Sequence, residues 1–75
     1  MKIEILGTGC TKCNELEAKV KQAVAQSGKF MQIEKVADLQ KIMAYGVMNT
    51  PALVIDGEVK STGKVLSVEE ILAYF

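Results

Sequence analysis

The chain contains no histidine, no tryptophan and no arginine, and only two cysteines and one proline among its 75 residues. Without arginine it lacks the planar side chain that binds a phosphate group through two parallel hydrogen bonds. Nine lysines are balanced by nine carboxylates, so the net charge is zero and there is no basic excess to attract nucleic acid. Without histidine or a third cysteine, one chain cannot supply the ligands of a closed tetrahedral zinc site. We therefore expect no nucleic-acid partner and no self-contained zinc site.

Long apolar runs are also missing from the sequence. No stretch approaches the roughly 20 residues that a membrane-spanning helix requires. Residues 1–6 alternate like a strand and do not resemble the apolar core of a signal peptide. We therefore expect no membrane partner, no signal peptide and a cytoplasmic location. The length predicts a single domain over residues 1–75 with a small core, and we expect this domain to act as a monomer.

What is present is a succession of short apolar segments separated by turn residues. Their spacing predicts strands at 2–6, 31–36, 52–55 and 58–62, and helices at about 11–27, from Asp38 to Gly46 and from Ser67 onward. Gly28 is expected to end the first helix in a left-handed conformation. The pair Asp56-Gly57 is typical of a hairpin turn. The order βαβαββα predicts an α/β fold, with parallel strands joined by a helical crossover and then a hairpin.

The second predicted helix has an apolar stripe, and the third has a signal for its start. The second is expected to place Leu39, Ile42 and Met43 on one apolar face, since these residues recur at helical spacing. In the third, Ser67 and Glu70 have the three-residue spacing of a capping box, in which each side chain bonds the other residue's backbone N–H.

The two cysteines lie at a junction between the first strand and the first helix. Cys10 falls just before the first helical turn, where unpaired N–H groups and the positive end of the helix dipole favour a thiolate, and Lys12 adds a positive charge. Cys13 shares the inward stripe of Leu16 and Val20 and should be less accessible. These positions predict that Cys10 attacks a disulfide and that Cys13 displaces the resulting mixed disulfide.

The single proline directly precedes the most apolar strand. In its simplest interpretation Pro51 only marks the start of that strand. A sharper interpretation is a cis Thr50-Pro51 peptide bond packed against the cysteines, which would leave the Thr50 backbone free to pair with an extended substrate. Met48, two residues earlier, either lines an apolar docking surface beside Cys10 or packs within its own loop.

Two other functions remain open for the same cysteines. Two thiolates separated by two residues also bind soft metals such as Cu(I) or Zn(II), either as a two-coordinate site or between two chains. Small heavy-metal-associated domains place such a motif between a first strand and a helix, although their βαββαβ order differs from the one predicted here. A non-catalytic interaction module is the third possibility.

Taken together, these features resemble the thioredoxin/glutaredoxin superfamily, and in particular its minimal small redox-active disulfide proteins. The resemblance rests on the βαβαββα order, on Cys10-Thr11-Lys12-Cys13 and on Thr50-Pro51 before the hairpin. Residues 5–10, 46–57 and 63–71 carry the similar stretches, so the resemblance covers essentially the whole chain. It implies a four-stranded mixed sheet with helices on both faces.

The resemblance also implies the activity, a thiol–disulfide oxidoreductase with neither an organic cofactor nor a metal. Cys10 would be the nucleophile and Cys13 the resolving thiol. Pro51 would be a cis-proline and Thr50 the residue whose backbone docks substrates, with Lys12 and Met48 nearby. The expected partners are a disulfide reductase as electron donor and protein or small disulfides as substrates.

The sequence departs from full-length thioredoxins between and before the cysteines. Thr11-Lys12 replaces the Gly-Pro of thioredoxin, so the redox potential cannot be carried over. Glu4 stands six residues before Cys10, where thioredoxins have a buried carboxylate. Because Glu4 alternates with Ile3 and Ile5, the period-2 pattern favours a solvated strand position over a proton acceptor for Cys13.

Overall fold

A computed structural model describes residues 1–75. The seven elements are β1 (Lys2–Leu6), α1 (Thr11–Ser27), β2 (Gln32–Val36), α2 (Leu39–Ala44), β3 (Ala52–Ile55), β4 (Glu58–Thr62) and α3 (Val68–Leu72). This is the predicted βαβαββα order. None of the three helices combines the length and hydropathy that crossing a membrane requires.

The four strands form one mixed sheet in the order β2-β1-β3-β4. β1 pairs in parallel with β2, and both the β1–β3 and the β3–β4 pairs are antiparallel. In this register Leu6 lies opposite both Val36 and Ala52. The end of β1, from which the cysteine loop leaves, is therefore adjacent to the start of β3, which Pro51 immediately precedes.

Helices cover both faces of the sheet, as the fold class predicted, and the side chains of β1 and β3 contribute to an apolar cluster on each face. The larger cluster contains ten buried residues from α1, α3, one sheet face and the segments before β2 and α3: Ile3, Ile5, Leu16, Val20, Ala23, Met31, Leu53, Ile55, Leu66 and Ile71. The smaller cluster contains six on the opposite face: Leu6, Val36, Ile42, Val47, Ala52 and Val54. β3 contributes to both clusters, which explains its uninterrupted apolar sequence.

The ends of the elements follow the predicted local signals. Gly28 ends α1 in the left-handed region, with φ 70°. The capping box at α3 is complete, with Ser67 and Glu70 each bonding the other's backbone N–H. The hairpin turn places Asp56 and Gly57 at φ 50° and 83°, the region that this sequence pair favours.

The apolar stripe of α2 differs from the prediction. Only Ile42 is buried in this helix, whereas Leu39 and Met43 are 62% and 71% exposed. The helix has six residues, so it lacks the length to lay a full stripe against the sheet. Leu39 and Met43 instead remain on the outer surface of α2.

Candidate active site

Cys10 and Cys13 are joined by a disulfide bond across the first turn of α1, with their Cα atoms 5.0 Å apart. Cys10 is the N-cap residue and has an extended backbone, whereas Cys13 already belongs to the helix. Cys10 is exposed and Cys13 is only 3% exposed. The two cysteines therefore occupy different environments: Cys10 lies at the surface of the protein and Cys13 in its interior.

The start of α1 provides a favourable environment for negative charge on Cys10. The backbone N–H of Cys13 donates a hydrogen bond to Cys10 Sγ at 3.2 Å. The first turn of α1 contains no acidic residue, and Lys12 is exposed within it. Because the positive end of the helix dipole is not opposed by a carboxylate in that turn, a Cys10 thiolate would be stabilised once the disulfide is reduced.

The loop before β3 lies next to the cysteines. The Thr50–Pro51 peptide bond is cis. Pro51 is fully buried, and its carbonyl oxygen accepts a hydrogen bond from the Gly63 N–H at 2.8 Å. Thr50, by contrast, is exposed and takes part in no backbone hydrogen bond within the chain. Its N–H and C=O groups are thus available at the surface.

Gly7 connects this loop to the buried cysteine. A Cβ atom built on Gly7 would overlap Cys13 Sγ and would lie 3.9 Å from Thr50 Cβ. Cys13 and Thr50 therefore flank the same residue from two elements that are far apart in sequence. The sequence alone does not reveal this contact, since a missing side chain gives no signal of what it makes room for.

Met48 lies in the loop before β3 and Lys12 in the first turn of α1, and both side chains are exposed. Met48 is 95% exposed, so it makes little contact within its own loop. An exposed apolar side chain two residues before Thr50 is suited to contact with another molecule. The exposed Lys12 follows Cys10 by two residues.

Glu4 lies on the side of the sheet away from α1. Its neighbours Ile3 and Ile5 pack into the cluster beneath α1, so the Glu4 side chain points toward the α2 face. There it is half-buried, and its Oε1 accepts a hydrogen bond from the Tyr45 hydroxyl at 2.9 Å. That hydrogen bond, together with partial burial and the negative charge of Glu4, raises the pKa of Tyr45. The period-2 pattern favoured a solvated position for Glu4, whereas the structure shows the residue half-buried and hydrogen-bonded to a partner 41 residues away.

The acidic and sulfur-containing side chains do not converge elsewhere. No group of three or more histidine, cysteine, aspartate or glutamate side chains lies close enough together to hold a metal ion.

Comparison with known proteins agrees with this arrangement. The family model described as "Thioredoxin domain" matches residues 1–75. A protein of Methanothermobacter thermautotrophicus named thioredoxin is 42% identical over 71 residues, which cover 95% of this chain and 92% of the relative. Another protein named thioredoxin, from Methanocaldococcus jannaschii, is 44% identical over 69 residues, covering 92% of this chain and 79% of the relative. The chain therefore belongs to the thioredoxin domain family, and its Cys10–Cys13 disulfide is that of a thiol–disulfide oxidoreductase.

Proposed function

We propose that the protein reduces or exchanges protein disulfides, or small disulfides, with Cys10 as the attacking thiol and Cys13 as the resolving thiol. The observation that carries this assignment is the difference in exposure between the two sulfur-bearing residues. A substrate sulfur can reach Cys10 at the surface, whereas Cys13 is 3% exposed. The hydrogen bond from the Cys13 N–H to Cys10 Sγ supports the same assignment, since it stabilises negative charge on the attacking sulfur.

The reaction proceeds in two exchange steps. The Cys10 thiolate attacks one sulfur of the substrate disulfide, forms a mixed disulfide and releases the other substrate sulfur as a thiolate. The Cys13 thiolate then attacks Cys10 Sγ, which closes the Cys10–Cys13 disulfide and releases the second substrate thiolate. The substrate gains two electrons, and two protons from solvent complete its two thiols. A disulfide reductase returns two electrons to the Cys10–Cys13 pair before the next turnover.

We assign substrate docking to Met48, Thr50 and Pro51 in the loop before β3, together with Lys12 in the first turn of α1. The free N–H and C=O groups of Thr50 suit an extended peptide segment, which binds by backbone hydrogen bonding as an added strand does. The exposed thioether of Met48 would contact apolar side chains of that segment. In this proposal residues 1–75 act as a single cytoplasmic domain and as a monomer.

Substitution of each cysteine separately tests the assigned roles. Cys10→Ser should abolish disulfide reductase activity and trap no partner, because the attacking sulfur is gone. Cys13→Ser should form mixed disulfides that persist, because the resolving sulfur is gone. The measurement is a mass shift after incubation with an oxidised peptide disulfide, with and without dithiothreitol. Persistent mixed disulfides with Cys10→Ser, and none with Cys13→Ser, would reverse the two roles.

A second experiment tests docking through Met48. Met48→Ala should raise the KM for a protein disulfide about fivefold, equivalent to roughly 1 kcal/mol of lost contact, and leave kcat nearly unchanged. Met43→Ala is the matched control, since Met43 is also strongly exposed but lies on α2. Equal effects of the two substitutions would remove Met48 from the docking surface.

A further inference from the structure

Gly7 lies directly after β1 and is held in place by the sheet. Its N–H donates a hydrogen bond to the Val36 carbonyl at 2.9 Å, so the backbone at this point continues the pairing of β1 with β2. Gly7 is not among the glycines with positive φ. Its backbone conformation is therefore open to any L-residue, and conformational freedom does not explain why the residue is glycine.

The surroundings of Gly7 provide a different explanation. A Cβ atom at this position would overlap Cys13 Sγ and lie 3.2 Å from Cys13 Cβ, closer than nearly all real contacts of a Cβ atom. Neither Gly7 nor Cys13 can easily move to relieve this overlap. Cys13 is anchored because Leu16 and Val20 on the same side of α1 are fully buried, and Gly7 is anchored by its bond to Val36. In the disulfide, Cys13 Sγ therefore occupies the space that a side chain at residue 7 would need.

We propose that Gly7 is a positioning residue for the redox couple: its missing side chain leaves the space in which Cys13 Sγ closes the disulfide with Cys10. The inference rests on the proposed thiol–disulfide function. When the disulfide forms, the two thiols give two electrons to the substrate and two protons to solvent, and Cys13 Sγ must point toward Cys10. When the pair is reduced, Cys13 Sγ is free to rotate about χ1 to another staggered position. A methyl group at residue 7 therefore opposes the disulfide more strongly than the dithiol.

The test is Gly7→Ala, titrated against oxidised and reduced glutathione and read by alkylation and mass shift. The dithiol–disulfide equilibrium should move toward the dithiol by about tenfold or more, which for a two-electron couple raises the reduction potential by about 30 mV. In urea unfolding, the substitution should destabilise the oxidised protein more than the reduced protein. A purely structural role would destabilise both forms equally and leave the potential unchanged.

Gly9→Ala is the matched control within the same loop. A Cβ atom on Gly9 would have nothing within 4 Å, although its φ of 88° strains any L-residue. This variant should lose stability equally in both redox states and keep the wild-type potential. If Gly9→Ala shifted the reduction potential as much as Gly7→Ala does, the proposal would be overturned, because added bulk anywhere in the loop would then be enough to change the potential.

A double substitution separates a folding failure from a wrong inference. If Gly7→Ala does not fold but Gly7→Ala combined with Cys13→Ala does, the contact with the sulfur is the cause and the proposal is supported. If both variants fail to fold, the space at Gly7 serves something other than Cys13 Sγ and the proposal is wrong.

The outcome for the wild type distinguishes failure of this proposal from failure of the proposed function. A wild-type protein without any reversible couple would refute the proposed function. A wild-type couple that Gly7→Ala leaves unmoved would refute only the role of Gly7.

Discussion

The sheet face beneath α1 and α3 buries ten residues in one apolar cluster, whereas the face beneath α2 buries six. On the first face, two helices enclose the strands, and α1 brings Cys13 down with its buried stripe. On the second face, the short α2 covers only one end of the sheet. The uncovered end carries charged and polar groups, among them Lys2 and Glu34, whose side chains pair at 3.1 Å.

The two faces of the sheet therefore have different roles: one mainly stabilises the fold, and the other supports the loop before β3. Because the larger cluster contains the buried residues Leu16, Val20 and Ala23 of α1, it fixes the helix and with it the backbone of Cys13. The smaller cluster holds the chain that leads through Val47 to Thr50 and Pro51, the loop proposed to receive substrates. A less extensive core is consistent with the proposal that this loop docks substrates, since segments with fewer buried contacts open more readily.

The largest expected effect comes from a matched pair of core truncations. Ile71 is the only buried residue of α3 and Ile42 the only buried residue of α2. We expect Ile71→Ala to cost about 4 kcal/mol and Ile42→Ala about 2 kcal/mol of unfolding free energy, because the smaller cluster can collapse more readily around the lost volume. Urea unfolding of the oxidised proteins, followed by far-UV circular dichroism, measures both. Equal losses, or a larger loss for Ile42→Ala, would contradict the contrast between the two faces.

A smaller effect is expected at the polar end of the α2 face. Tyr45→Phe removes the hydrogen bond to Glu4 and should lower the free energy of unfolding by less than Ile42→Ala does. Because the pKa of Tyr45 is raised on folding from its ordinary 10.0, this contribution is fully present below that value. It is lost as the pH rises through the higher pKa of the folded protein. Lys2 and Glu34 face the same group, and Lys2 opposes the rise while Glu34 favours it.

Urea midpoints of the wild type and Tyr45→Phe between pH 7 and 11 test this prediction. The difference between the two proteins should be constant at neutral pH and shrink at the alkaline end. Glu4→Gln keeps a hydrogen-bond acceptor without the charge, so its loss should be intermediate. A difference that grows with pH would show that the hydroxyl is not stabilised by Glu4.

Much of this fold could be predicted from the sequence because its signals are local. The strand alternation around Ile3, the left-handed Gly28, the Asp56-Gly57 turn and the capping box at Ser67 each depend on residues within a few positions of one another. The inward position of Cys13 followed from the helical stripe for the same reason. These features required only the periodicity of a helix or a strand.

The features that the sequence did not reveal depend on contacts between distant segments. The burial of α2 through Ile42 alone depends on how little of the sheet six residues can cover. The Tyr45–Glu4 hydrogen bond joins the end of α2 to the middle of β1, and periodicity within either segment says nothing about the other. The approach of Gly7 to Cys13 required the sheet register and the helix position together.

The measurement that tests the central claim most directly is a redox titration of Cys10 and Cys13 in thiol buffers, with the metal content determined on the same sample. The account predicts metal-free protein with one reversible two-electron couple, in which both thiols become alkylated together as the buffer becomes more reducing. Protein that contains stoichiometric copper or zinc, and that resists alkylation until a chelator is added, would contradict the redox function and indicate metal handling by the same two cysteines.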